Sequence, residues 1–326
     1  MAGAVTMRRG QLVARFDASR AATLDELVPL TYERCVDGLP PHVRAASALR
    51  RFDGRLVIVQ DDVSALAVRD GSGVVRAVVL PPHASGRRVF DDTLGNKHEK
   101  LDLEACVTIA DGRLVAFGSG SLPARERLVV WDGRAPPIVV AASSLYRDLR
   151  AAVTQGGARL NVEGAAVSGN TVKLFHRGND ARGAKPLAPN AIAEIELDEL
   201  AEWLGGGAAS PRVARVTAVE LGAERGVPFG FTDAVALDDE RIVVLACAED
   251  SACAISDGDV LGCRVGLLDT HGLFMTDVCD AAGKRTMLKL EGIERRLGSS
   301  TEFDVVVDVD RPSAPALLGR LVWEWQ

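Results

Sequence analysis

The chain has 326 residues, 47% of them hydrophobic and 25% charged, enough to build the core of one large domain or two smaller ones. A formal charge of −7 excludes a general nucleic-acid surface, which needs clustered Lys and Arg; the pairs Arg50–Arg51, Arg87–Arg88 and Arg295–Arg296 are scattered and read as solvated faces. No stretch approaches the roughly 18 apolar residues of a membrane span, and "MAGAVTMRRGQLVARF" at the N-terminus has no continuous apolar run, so no membrane partner and a cytoplasmic location are expected.

In chain order, "QLVARFD" (11–17) reads as a strand without a unit of its own, and "TLDELVPLTYERC" (23–35) as a helix. From Ser47 four short strands follow: "SALRRFDG", "RLVIVQDD", "ALAVRD" and "VVRAVVL". The grouping returns in "EACVTIADG" to "PPIVVAAS", in "EGAAVSGN" to "RVARVTAVEL", and from Asp233 in "DAVALDDE" to "LFMTDV". A last group from Glu291 has three strands, ending in "GRLVWEW". Helices are expected at 144–153 and 197–204, too few for an alternating α/β fold.

Turns of the "DG", "GN" and "DDE" type join these strands as hairpins, and inner strands such as "LVIV" and "IVVLA" alternate weakly because both faces are covered. The expectation is an all-β fold: one β-propeller domain over 1–326, with units at 47–99, 100–159, 160–229, 230–287 and 288–325. Five blades are favoured, the ring being closed by 11–17 pairing with the last unit; six are open if 8–44 forms more than one strand.

Each later unit opens its first strand with an acid: Glu104, Glu163, Asp233 and Glu291, with Ser47 at that place in the first. Second strands end in polar groups: Asp61 and Asp62, "GSGS", His176 with Arg177 and Asn179, Glu249, and Asp308 with Asp310. The end of one strand and the start of its antiparallel neighbour share an edge, so both sets gather at one mouth of the channel. Asn161 and Lys289, two residues before their acids, point the same way. The four first-strand acids are candidate ligands for Ca²⁺ or Mg²⁺, and Asp61, Asp62, Asn161, Arg177, Asn179, Glu249, Asp308 and Asp310 candidate ligand-binding groups. Arg177, Lys289 and His176 are the candidates for catalysis, Arg177 ranking before His176. The six cysteines lack zinc-site spacing and read as reduced core thiols.

The stretches "SALRRFDGRLVIVQDD", "KLDLEACV", "AFGSGS", "LNVEGA", "GFTDA", "KLEGI" and "DVDRPSAPALL" resemble an uncharacterised family of bacterial propeller proteins, over about residues 46–322. The recurrent "EG" opening of the first strand is also similar, more distantly, to esterase-like phytase propellers. The first resemblance implies the fold and carries no activity; the second implies hydrolysis of a phosphate or carboxylic ester assisted by a divalent cation. No G-x-S-x-G elbow, H-E-x-x-H pair or Walker loop is present. The functional expectations are a small-molecule or cation site at the channel mouth, with or without hydrolysis, or a non-catalytic module binding a ligand or protein partner.

Overall fold

The computed structural model describes residues 7–154, 159–178, 189–250 and 258–325. The fold is all-β, and among the described residues no helix is long and apolar enough to cross a membrane. Strands β1 (Arg8–Val13) and β2 (Arg15–Pro29) precede the first hairpin series, β3 (Ala46–Phe52), β4 (Arg55–Gln60), β5 (Ala65–Arg69) and β6 (Val75–Val79). A second series is β7 (Leu103–Thr108), β8 (Leu114–Gly118), β9 (Arg127–Trp131) and β10 (Ile138–Ala141), followed by helix α1 (Ser143–Val153). The third runs β11 (Val162–Ser168), β12 (Thr171–His176), β13 (Asn190–Glu196), helix α2 (Leu197–Leu204) and β14 (Val213–Glu220). After a two-residue β15 (Ala223–Glu224) come β16 (Val227–Ala236), β17 (Ile242–Asp250), β18 (Asp259–Asp269) and β19 (Gly272–Asp280). The last are β20 (Lys289–Arg295), β21 (Glu302–Asp308) and β22 (Leu317–Val322).

Each series is an antiparallel meander, and the last two are joined into one nine-stranded sheet by β2. Residues 15–24 of β2 run parallel to β19, and residues 23–29 pair antiparallel with β22 as a fourth strand. The expected helix at 23–35 is therefore a strand over its first half. Pairing with β22 along 23–29, and with β19 as far as Leu24, outweighs the weak helical spacing of "TLDELV", and Ala22 and Leu24 alternate into the core. The expected closing strand shifts accordingly: 23–29, not 11–17, pairs with the last unit, while β1 adds in parallel to β14.

Apolar cores lie between successive sheets, which is why the inner strands are apolar on both faces. One packs Val57 and Leu66 against Cys106 and Trp131; others join Phe117 to Leu174, Phe175 to Phe231, and Leu245 to Val305. A further cluster brings Leu49 and Ile58 of the first series against Val306 and Leu318 of the last. Burying each such side chain contributes about 1.5–3 kcal/mol, so the inter-sheet layers dominate stability.

The first strands β3, β7, β11, β16 and β20 surround one side chain, Arg50. Its guanidinium donates to the carbonyls of Cys106 (2.9 Å), Ala165 (3.1 Å) and Ala234 (3.0 Å) and to Glu294 (3.5 Å), touching all four other first strands. Arg50 thus corrects the reading of Arg50–Arg51 as a solvated pair: it is buried on the axis, with Asp233 3.7 Å away as a further counter-charge. Arg51, half-buried, bonds Asp304 at 3.1 Å.

Cys247 and Cys263 face each other on β17 and β18 and form a disulfide, which corrects the expectation of reduced thiols at that pair. Cys35, Cys106 and Cys279 are free thiols, and Cys253 lies outside the described residues.

Candidate functional site

All five first strands carry a β-bulge at the same place. The register slips between Ala46 and Ala48, Leu103 and Ala105, Val162 and Gly164, Phe231 and Asp233, and Leu290 and Gly292. The extra residue in each is Ser47, Glu104, Glu163, Thr232 and Glu291. A bulge re-aims the side chain it carries, here towards the end of the axis beyond Arg50. Where the bulged residue is a hydroxyl it bonds the next first strand: Ser47 Oγ donates to Leu103 O (2.5 Å) and Thr232 Oγ1 to Leu290 O (2.6 Å). Where it is a glutamate, the carboxyl faces a cavity of about 360 Å³.

That cavity gathers most of the residues expected at the mouth. Glu104, Glu163, Glu291, Asp61, Asp62, Asn161, Arg177, Glu249, Lys289, Asp308 and Asp310 line it. Asp233 does not: it sits one residue past the bulge, is 0% exposed, accepts the amide of Ile293 (2.9 Å) and faces Arg50. His176 is also absent from the wall; its Nδ1 lies 3.0 Å from the Asn161 amide, and burial pushes its pKa down to about 4, so it is neutral. Asn179 lies outside the described residues. Sequence reasoning gave no site role to Arg44, Asp91, Lys100 or Arg125, all on the wall. The alternation of "KLDLE" held a signal for Lys100, since it puts Lys100, Asp102 and Glu104 on one side of an extended chain.

The wall carries eleven carboxylates against seven cationic side chains, and most of these are paired. Lys100 bridges Asp61 and Asp102, the latter at 2.6 Å. Arg125 holds the other oxygen of Asp102 at 2.7 Å, where Ser119 also donates. Asp102 itself adopts a left-handed backbone (φ 55°), tolerated by a short polar side chain, which turns the chain into the bulge. Arg44 bonds Asp62 through Nε (2.7 Å) and Asp91 through Nη2 (3.3 Å). Arg177 bonds Glu249 at 2.9 Å and lies 3.8 Å from Glu163, whose Oε1 also accepts from Asn161. Lys289 sits 3.1 Å from Glu291 and 3.6 Å from Asp310.

Some acceptors remain open. Glu104 has neither a hydrogen bond nor an ion pair among the described residues, and Asp61 Oδ1, Asp62 Oδ1 and Glu291 Oε2 are buried without a hydrogen-bond partner. The oxygens of Asp61, Asp102 and Glu104 lie within 4.8 Å of one another. Burial, then the charges of Asp102, Asp61 and Glu163, holds the Glu104 carboxyl well above the usual range. Burial also raises Asp62 and Glu163 to about 7 and, with Asp310 and Asp61 adding to it, Asp308 to about 8. Asp102 goes the other way: Lys100 and Arg125 outweigh its burial and lower it.

The sequence matches a family of unknown function, DUF6929, over residues 42–321, a span that contains every residue of this cavity wall. The chain belongs to that family. Solved structures similar to this DUF6929 chain are propeller-like. A glutaminyl cyclase from Myxococcus xanthus is 14% identical, covering 96% of this chain and 99% of its own, at a TM-score of 0.46. A gluconolactonase from Xanthomonas campestris is 11% identical, with 94% and 98% covered and a TM-score of 0.42. A virginiamycin B lyase from Staphylococcus aureus is 9% identical, with 93% and 100% covered and a TM-score of 0.41. No curated protein matches the chain in sequence.

Proposed function

We propose that the mouth cavity is a ligand site built around a divalent cation, Ca²⁺ or Mg²⁺, on a single five-bladed propeller. Five meanders whose first strands share Arg50 support the blade count, and the pairing of residues 23–29 with β22 supports closure by a fourth strand in the last blade. The observation that carries the cation reading is the Glu104 carboxylate, which has no hydrogen bond or ion pair among the described residues and has oxygens of Asp61 and Asp102 within 4.8 Å. Hard cations take oxygen ligands at about 2.0–2.6 Å, so oxygens on opposite sides of one ion stand roughly 4–5 Å apart. Three acidic oxygens at that spacing fit such an ion. Glu163 and Glu291 then belong to the ligand-facing wall, with Arg177, Glu249, Lys289 and Asp308.

Isothermal titration of the full chain with Ca²⁺, Mg²⁺ and Mn²⁺ tests this. Binding in the wild type, weakened at least tenfold in Glu104→Gln, is expected, because the amide keeps the shape and loses the charge. No binding by any of the three ions removes the cation from the site.

A hydrolytic reading draws on Asp308. Asp308 lies on the same cavity wall, and its burial, which raises the carboxyl to about 8 in the ion-free protein, makes it the candidate general acid for a cation-polarised ester. Arg177 and Lys289 would steady negative charge, although acids already pair with both. Turnover of 4-nitrophenyl phosphate or acetate that needs added cation and falls in Asp308→Asn supports hydrolysis. Cation binding without turnover leaves a small-molecule-binding module.

A further inference from the structure

Lys100 occupies the place that the cation reading assigns to an ion. Its side chain is 7% exposed, and its ammonium bridges Asp61 and Asp102, two of the three carboxylates whose oxygens lie within 4.8 Å. The third, Glu104, receives no bond from it. An ammonium is a compact point charge on a flexible four-carbon stem and satisfies two of these acids; a dication can take all three. Arg125 also leans on the shared partner, its Nη1 lying 2.7 Å from Asp102 Oδ2.

We propose that Lys100 is the resident counter-ion of the cation seat, and that its displacement by a divalent cation frees it, with Arg125, to hold a phosphate group of the ligand. This rests on the cation reading above and adds the ligand class. A dication that takes over Asp102 leaves two basic side chains without their full counter-charge on the wall of the same cavity. The dication and the two basic side chains are three electropositive groups, one for each terminal oxygen of a phosphate monoester, whereas a carboxylate offers only two oxygens. Cation and phosphate then bind as a coupled pair, each raising affinity for the other by the same factor.

The test is calorimetric titration of the full chain with Mg²⁺ and inorganic phosphate, separately and together. Lys100→Met is expected to bind Mg²⁺ at least tenfold tighter than wild type, and Lys100→Arg, which keeps the charge, like wild type. Saturating Mg²⁺ should tighten phosphate binding at least tenfold in the wild type and leave it unchanged in Lys100→Met. Equal Mg²⁺ affinity in wild type and Lys100→Met, or full coupling in that variant, overturns the inference. Glu104→Gln separates the two readings. If it abolishes Mg²⁺ binding while Lys100→Met gains nothing, the Lys100 role alone falls; if wild type itself binds no Mg²⁺ and Lys100→Met none either, both fall. Should Lys100→Met fold poorly, Lys100→Gln replaces it, with a larger Mg²⁺-induced rise in Tm than wild type as the expected result and an equal rise as the contrary one.

Discussion

Asp308, Glu163 and Asp62 hold protons that free carboxylates would have lost. Burial is the first cause in all three, and it raises them from 3.8–4.5 to about 7–8. The folded state therefore binds more protons than the unfolded one between about pH 4 and 8, and the stability these groups contribute is complete below that window and lost as pH rises through it. Asp102 and Glu249, lowered by their basic partners, act oppositely and only under more acidic conditions. Asp308→Asn removes the largest of the numbered shifts, so its Tm should fall less than that of wild type between about pH 4 and 8. Parallel curves in thermal melts across that range would refute the assignment. The glutamates of this site were legible because each stands before an apolar strand in a recurring unit. Aligning the repeats on an acid nevertheless slipped one unit by a residue: a bulge adds a residue without any mark in the sequence, so Asp233 took the place that belongs to Thr232. Arg50 escaped notice because three of its partners are main-chain carbonyls of other strands, which side-chain patterns do not encode.

At the level of the strand, the "EG" pair has a packing cause. A Cβ on Gly292 would stand 2.7 Å from the amide nitrogen of Leu49, and one on Gly164 would stand 2.8 Å from Cα of Asp233. The residue after the bulge is where neighbouring first strands approach most closely, so glycine lets the backbones meet. Gly292→Ala must push β20 away from β3, close to the seat of Arg50. A loss of about 1–3 kcal/mol is expected from such overpacking. Gly71→Ala, with nothing within 4 Å of the added methyl, serves as the control and should change little. Equal denaturant midpoints for the two variants would count against the close approach. Strand legibility followed the same physics. The meanders read correctly because hairpin turns and apolar runs are local signals, and α1 and α2 because their apolar spacing is helical. The segment 23–29 failed because what makes it a strand is β22, roughly 290 residues away in sequence, joined at Thr23 and Leu24 by β19, roughly 250 away.

For the molecule as a whole, β2 is the segment on which the last two sheets depend. Its first part lies along β19, its second part along β22, and Asp25 forms two hydrogen bonds with Arg320 at 2.8 and 2.9 Å. Ala22 and Leu24 are buried in the core shared by those sheets, alongside Val278, Phe303 and Leu321. β1, by contrast, is a mostly exposed parallel addition to the edge at β14. Two truncations therefore separate the roles. Removing residues 1–13 should leave a folded monomer with a midpoint close to that of the full chain. Removing residues 1–29 strips β22 of one of its two partners and exposes a strand edge beside the indoles of Trp323 and Trp325, an arrangement that invites edge-to-edge association. That chain should unfold at markedly lower denaturant, or elute as aggregate in size-exclusion chromatography. A monomeric 30–326 fragment with the unfolding midpoint of the full chain would count against β2 as the closing strand of the proposed five-bladed ring.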